Sequence, residues 1–414
     1  MQYSGSRVNK VVSNWPLRIF LFFIFSIYSG VLDYLSFLRV VKPGMLCVLT
    51  LSVMWFRAGG LKRDITEPEL RMILILIFIS MVSLLYAANT GVVIKLLQTE
   101  IIYSLGLIIG SMVAIKTKKD LVSILNLIAC LSVLVSVQVI QNGGTGPSLL
   151  GDENDVTVSV LVLFPFVYYG AFFQVGYMKW VCRAGVLLSV GAVVVAGSRG
   201  GFLGFVAALG MIYLNSNRKV LLFFAGMAAI CIAVAFLISD DYIEDMSTMQ
   251  NTETGTADER LYSWGLGVEM FLDNPILGVG AGQYGWVVYH YQEERGDLDG
   301  AVHRLHLGGR SSHSTYIDYL SERGIVGLVL MFFLIRSIYR RIKTLGREKF
   351  NVSPVFEDNS LRYFYLAIST AIPGYLVCSV FVTTFYYPNM WLIIGLVVAV
   401  YRLLEIEQGT TNVE

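Results

Sequence analysis

Charge is scarce in this chain. Charged residues fill only 15% of its 414 positions against 55% hydrophobic ones, and the mean hydropathy is +0.65. This excludes an ordinary water-soluble surface, because apolar runs repeatedly exceed the roughly 18 residues that a bilayer-spanning helix needs. The class is a polytopic membrane protein. Cysteine is also sparse: Cys47, Cys130, Cys182, Cys231 and Cys378 are odd in number and lie inside apolar runs, so no disulfide framework is expected. Histidine is scarcer still, and His290, His303, His306 and His313 all fall in one short stretch. Imidazole chemistry is thereby confined to one end of the polar segment that interrupts the hydrophobic pattern. The net charge of +1 averages over two sides of a membrane and names no partner, and no nucleic-acid partner is expected.

Hydropathy predicts an all-α fold of about 12 transmembrane helices, at 17–38, 43–57, 70–88, 94–115, 121–141, 156–174, 179–196, 200–214, 220–238, 313–335, 361–382 and 387–404. The first follows Arg7, Lys10 and Arg18 without a small-residue cleavage pattern, so it reads as a retained signal anchor with no soluble domain before it. Basic residues then orient the chain. Lys62 and Arg63, Lys116 to Lys119, Arg218 and Lys219, and the run from Arg336 to Lys349 fall on one side, which the positive-inside rule makes cytoplasmic together with both termini. The segments 142–155, 197–200, 239–312 and 383–389 then face outward. The expected organisation is 1–238 with transmembrane helices 1–9, a large, partly helical outer cap loop at 239–312 between helices 9 and 10, and 313–414 with helices 10–12 and a cytoplasmic C-terminal tail.

In the 239–312 segment acids far outnumber the arginines Arg260, Arg295, Arg304 and Arg310, and Leu261, Trp264, Leu266, Val268, Phe271 and Leu272 recur with apolar periodicity. A folded cap with one or two amphipathic helices is expected, the first capped by Asp258 or Ser263. Gly280-Ala-Gly282-Gln-Tyr-Gly285 fits the GxGxxG pattern formally, but no strand precedes it and it lies on the outer side. It reads as a turn near the membrane surface, not a dinucleotide site. Gly200, Gly204 and Ala208 recur every fourth position, the spacing that lets neighbouring helices approach closely. His303 and His306, with Asp299 or His313, would supply ligand types for zinc, but the spacing is unspecific, and neither a metal nor a cofactor is expected. Tyr284, Trp286, Tyr289 and Tyr291 read as an interfacial belt, with stacking on sugar rings as the alternative.

Two arginines carry more weight. Arg199 lies at the junction of two expected spans, where a cation needs an anionic partner or water, and Arg260 lies in Asp258-Glu-Arg-Leu-Tyr-Ser-Trp264, where a salt bridge to Asp258 or Glu259 is the plainer reading. Guanidinium groups match phosphate oxygens in planar, bidentate fashion, so two of them beside a histidine on one membrane face suit a diphosphate leaving group.

Three blocks then resemble the O-antigen ligase and polymerase superfamily: Gly197-Ser-Arg-Gly200; Arg260 to Trp264 followed by Asp273-Asn-Pro-Ile-Leu-Gly-Val-Gly-Ala-Gly282; and His313 to Gly327 with Glu322 and Gly324. The resemblance implies an inner-membrane glycosyltransferase whose site faces the periplasm. Such an enzyme moves a glycan from undecaprenyl diphosphate to a lipid or glycan acceptor, without a metal. It maps the family's two key arginines onto Arg199 and Arg260 and its key histidine onto His313. Asp152-Glu-Asn154-Asp155 resembles a recurrent family element near the substrate, so Asn154 and Asp155, with Ser314 and Tyr316, are the further substrate-binding candidates. Ser314 stands where the family commonly has asparagine. The expected reaction is ligation to lipid A–core by inverting displacement, with repeat-unit polymerisation as the alternative. A 12-helix transporter, its coupling charges drawn from Asp33, Glu100, Asp318 and Glu322, is the rival class.

Overall fold

The computed structural model describes residues 14–30, 42–146, 152–216, 256–298, 307–347 and 358–411. Its regular elements there are all helical, in the order α1 Trp15–Tyr28, α2 Pro43–Arg57, α3 Gly60–Asp64, α4 Pro68–Val82, α5 Thr90–Ala114, α6 Lys118–Gln141, α7 Glu153–Phe173, α8 Gly176–Ala196, α9 Arg199–Asn215, α10 Thr256–Asp273, α11 Tyr284–Glu294, α12 Thr315–Arg347, α13 Asn359–Cys378 and α14 Pro388–Thr411. Their starts follow local chemistry. Proline occupies the first turn of α1, α2 and α4, where a missing N–H costs nothing, and Pro388 opens α14. Thr117 and Asp120 form a reciprocal capping box on α6, and Asp152, Ser198 and Asp358 cap α7, α9 and α13.

Seven of these helices are long and apolar enough to cross a bilayer: α4 with its last turn, α5, α6, α7, α8, α13 and α14 up to Glu407. The protein is therefore a polytopic membrane protein. The expected spans 17–38 and 43–57 correspond to the shorter apolar helices α1 and α2, and 200–214 corresponds to the 17-residue α9. The expected span at 220–238 lies outside the described residues. The most enclosed helix is α7, whose side chains from Val156 to Val167 are all buried among its neighbours. Close approach is built in beside it: a Cβ on Gly201 would fall 2.1 Å from Thr157 Cγ2, and one on Gly204 would fall 2.8 Å from the Gly374 carbonyl oxygen of α13. The stripe of small residues on α9 is thus a packing face.

The expected span at 313–335 is the 33-residue α12, and it is broken. Gly324 has φ 59° and ψ −157°, a conformation essentially confined to glycine. At the break the helix exchanges its own hydrogen bonds for bonds to 275–280: Val279 N donates to Ser321 O (2.8 Å), Gly280 N to Glu322 O (3.1 Å) and Ile325 N to Pro275 O (2.9 Å). A Cβ on Gly324 would fall 2.5 Å from Ile276 C, and one on Gly278 2.4 Å from Glu322 C. Gly324→Ala should therefore cost at least about 1–3 kcal/mol from backbone strain alone. A lower unfolding temperature in detergent checks this, and an unchanged one would mean that the break relaxes freely.

A buried ion pair locks this region. Arg323 is fully buried, pairs with Glu100 of α5, donates to Ser80 Oγ (3.2 Å) and Tyr386 Oη (2.7 Å), and lies over the rings of Tyr319 and Tyr386 at 4.6 and 5.2 Å. An unpaired charge here would be severely destabilising, so each member requires the other. Glu100, considered above as a transport coupling charge, has a fixed partner. At the opposite end of α12, Arg341 pairs with Glu67 and Glu69, while Arg402 pairs with Asp64, tying α3, α4, α12 and α14 together.

Candidate functional site

The N-terminal ends of α7 and α9 meet through their caps. Asp152 accepts from Asn154 N (2.8 Å), Asn154 Oδ1 accepts from Ser198 Oγ (2.7 Å), and Ser198 Oγ accepts from Gly201 N (3.1 Å). This chain fixes Arg199 as the first residue of α9, exposed at a helix N-terminus whose partial positive charge adds to its own.

Helix α10 brings Arg260 to the same place. Burial pushes the Arg260 guanidinium below its ordinary value, the field of Arg199 lowers it further, and Asp152 and Glu153 work in the opposite direction. Two arginines held close enough to repel one another make a site that an anion would relieve. No ion pair joins Arg260 to Glu259 among the described residues, and the side chain of Asp258 lies outside them. The helix begins at Thr256, so Ser263 is no cap: it bonds the Tyr284 hydroxyl (2.6 Å) and helps bury Leu266, Met270, Tyr284, Val288 and Leu307 in a small core of its own.

His313 sits in the bend before α12, half-buried, with φ 55°, a left-handed value uncommon for a residue with a side chain. Burial lowers its pKa below 6.5, Arg260 lowers it further, and Asp152 opposes this; Arg310 and Glu259 act more weakly. The bend is pinned at several points. Trp264 Nε1 of α10 donates to Ser312 O (3.0 Å), Ser312 N donates to Asp318 Oδ1 (3.1 Å), Thr383 Oγ1 donates to Asp318 Oδ2 (2.5 Å), and Thr315 N donates to Ser379 O (3.0 Å). Trp264 thus couples the helix bearing Arg260 to the loop bearing His313. Trp264→Phe keeps an aromatic ring but gives up the indole N–H and its bond of about 0.5–1.5 kcal/mol, so turnover that depends on this coupling should fall up to about tenfold. Unchanged turnover would show that the ring's contact with Phe381 suffices.

His313, Asp152, Asn154 and Asp155 line a cavity of about 750 Å3 together with Lys95, Thr99, Tyr103, Arg310, Thr383, Tyr386 and Tyr387. Ser314 and Tyr316 do not line it. Ser314 is buried with its N–H on Ser312 Oγ, and the Tyr316 hydroxyl donates to Leu376 O (2.9 Å) on α13. Asp318 lines the cavity, but its two oxygens hold the Ser312 N–H and Thr383, so it shapes the histidine's loop. Glu322 accepts from Gly282 N (2.9 Å) and Tyr284 N (3.1 Å), so the glycine-rich turn is organised by a carboxylate of α12. Lys95, Tyr103 and the 383–387 turn had no motif to announce them. Arg310 could have been found from its place three residues before His313. Among the described residues no group of three or more His, Cys, Asp or Glu side chains is placed to hold a metal ion, and His303, His306 and Asp299 lie outside them.

The comparisons meet this geometry. Residues 184–332, which contain Arg199, Arg260, Trp264 and His313, match the family profile described as O-Antigen ligase. The chain is similar to the "Exopolysaccharide production protein ExoQ" of Rhizobium meliloti (strain 1021), with 29% identity over 141 residues. That match covers 32% of this chain and 30% of the relative. Residues 184–332, whose three blocks the fold brings to one site, are therefore a domain of the O-antigen ligase family, and the relative supports the wider ligase and polymerase superfamily.

Proposed function

We propose that the protein is a glycosyltransferase of the cytoplasmic membrane that moves a glycan from undecaprenyl diphosphate to a hydroxyl of an acceptor in the periplasm. The observation that carries the reading is the placement of Arg199 at the first turn of α9 and Arg260 on α10 close enough to repel, beside His313, whose pKa burial and Arg260 lower. The arginines bind the diphosphate and stabilise the charge that grows on it. An acceptor oxygen attacks the anomeric carbon, its proton passes to His313, and the bond from that carbon to the diphosphate oxygen breaks. Undecaprenyl diphosphate leaves and the anomeric configuration inverts. Both termini are cytoplasmic, and the 239–312 segment caps the site and positions the acceptor.

The family description favours lipid A–core as acceptor, which makes the protein an O-antigen ligase. The relative's role in exopolysaccharide production favours the second reading, a polymerase whose acceptor is another repeat unit. Purified protein given lipid-linked glycan with each acceptor in turn separates the two, and a glycan that stays on its lipid in both would leave only the transporter. Turnover should withstand EDTA. Loss of turnover under EDTA that zinc restores, abolished likewise by His303→Ala or His306→Ala, would replace this mechanism with a metal-assisted one.

A further inference from the structure

Two cations, Lys95 and Arg310, line the cavity, and the lining includes neither Arg199 nor Arg260. The carboxylates on its wall are engaged by the protein: Asp155 by the Tyr387 hydroxyl (2.5 Å), Asp318 by Ser312 and Thr383, Glu322 by two backbone N–H groups and the Tyr386 hydroxyl, and Asp152 by Asn154. Lys95 and Arg310 differ. Both are exposed to the cavity, and no carboxylate among the described residues lies within ion-pair distance of either.

Lys95 is not a lysine on an idle surface. Val92, Lys95, Leu96, Thr99 and Tyr103 follow the three- and four-residue spacing of one helical face, and that face of α5 lines the cavity. Its outer end is clamped to the glycine-rich turn by a reciprocal pair, Asn89 N to Gln283 Oε1 (2.8 Å) and Gln283 Nε2 to Asn89 O (3.0 Å). Gly282 makes the contact close, since a Cβ there would meet Val92 Cγ1 at 3.2 Å and Leu96 Cδ2 at 3.3 Å. Less than two turns beyond Lys95 the helix widens into a π-turn at Ile101–Leu105, a feature that recurs at functional sites, and Tyr103 of this turn lines the cavity. The remaining wall offers Thr99, Asn154, Thr383 and the rings of Tyr284, Tyr386 and Tyr387, a mixture of hydrogen-bonding and flat surfaces that suits sugar rings better than acyl chains.

We propose that this cavity selects glycans bearing an acid group, the carboxylate of a uronic acid or of an acid-substituted sugar, which pairs with Lys95 and, next to His313, with Arg310. The inference rests on the glycosyl-transfer reading and adds the chemical class of the sugar to it. The anion is distinct from the diphosphate, which has its own cations at the ends of α9 and α10.

The test uses the full chain in nanodiscs of neutral lipid and two soluble probes that differ by one carboxylate, cellobiose and cellobiouronic acid. Farnesyl diphosphate serves as a separate probe of the arginine pair. The acidic disaccharide should bind about tenfold more tightly than the neutral one, with an advantage that fades as salt rises. Lys95→Gln should erase the preference, Lys95→Arg should keep most of it, and farnesyl diphosphate should bind Lys95→Gln as it binds the unaltered protein, which also shows that the variant is folded. Equal affinity for the two disaccharides, or a preference that survives in the Lys95→Gln, Arg310→Gln double variant, overturns the proposal. So does loss of the preference when phosphatidylglycerol replaces neutral lipid, because the cations would then serve a lipid headgroup. Failure of farnesyl diphosphate to bind the unaltered protein would instead remove the glycosyl-transfer reading, whatever the disaccharides do.

Discussion

Alanine at Arg199 or at Arg260 should each lower glycan transfer by roughly 10²–10³-fold while the protein still inserts and folds, the loss expected when a fixed group that stabilises developing negative charge is removed. Folding should survive because neither side chain is structural in the way Arg323 is: Arg199 is exposed and Arg260 only half-buried, and each unfavourably senses the other. Removing one relieves that repulsion in the empty protein, set against the attraction of Arg260 to Asp152 and Glu153. The two losses should not add, since each arginine alone leaves the diphosphate half-clamped. Lysine should rescue poorly at both positions, because a point charge cannot reproduce the planar, two-pronged contact with phosphate oxygens. Initial rates with purified variants and a lipid-linked glycan decide the matter. Near-normal product from lysine at both sites would reduce these arginines to charge balance.

What could be read from the sequence divides by range. Helices written by continuous apolar runs were legible, as at 121–141 and 156–174, which the structure sets at 118–141 behind the Thr117 box and at 153–173 behind Asp152, because the determinants lie within a few residues of one another. Blocks of the chain could also be matched to a family, which singled out Arg199, Arg260 and His313. Their surroundings could not be read. The Glu100 to Arg323 pair joins residues 223 apart, Tyr387 reaches Asp155 across 232, and Trp264 reaches Ser312 across 48, and no periodicity encodes such meetings. For the same reason Asp318, offered above only as a coupling charge of the rival transporter, is held by the fold on Ser312 and Thr383. Tyr316 was considered for the site, where its hydroxyl turns to Leu376. Lys95 lies in no motif, and its position on the cavity wall depends on how α5 meets the turn at 280–285.

Replacement of His313 should separate chemistry from binding. Loss of a general base typically costs about 10²–10⁴-fold, and transfer by His313→Ala should fall within that range while the variant still binds the lipid diphosphate, because the arginines hold it. Asparagine is the better control for folding, since it tolerates the left-handed backbone that His313 adopts at φ 55° and still lacks a base. The acid limb of the unaltered protein gives a second reading. Burial and the Arg260 guanidinium hold the free imidazole's pKa below 6.5, so it stays neutral, and able to accept a proton, further into acid than an exposed histidine; the limb of kcat/KM should therefore lie below pH 6.5. A bound diphosphate offsets the charge of Arg260 and so weakens one cause of the shift. The limb of kcat, which reports the complex, should consequently lie at higher pH than that of kcat/KM. The opposite order would mean that the base is elsewhere, and if His313→Asn lost donor binding as severely as Arg199→Ala, the imidazole would belong to the phosphate site and the acid residues around the cavity would become the candidates for the base.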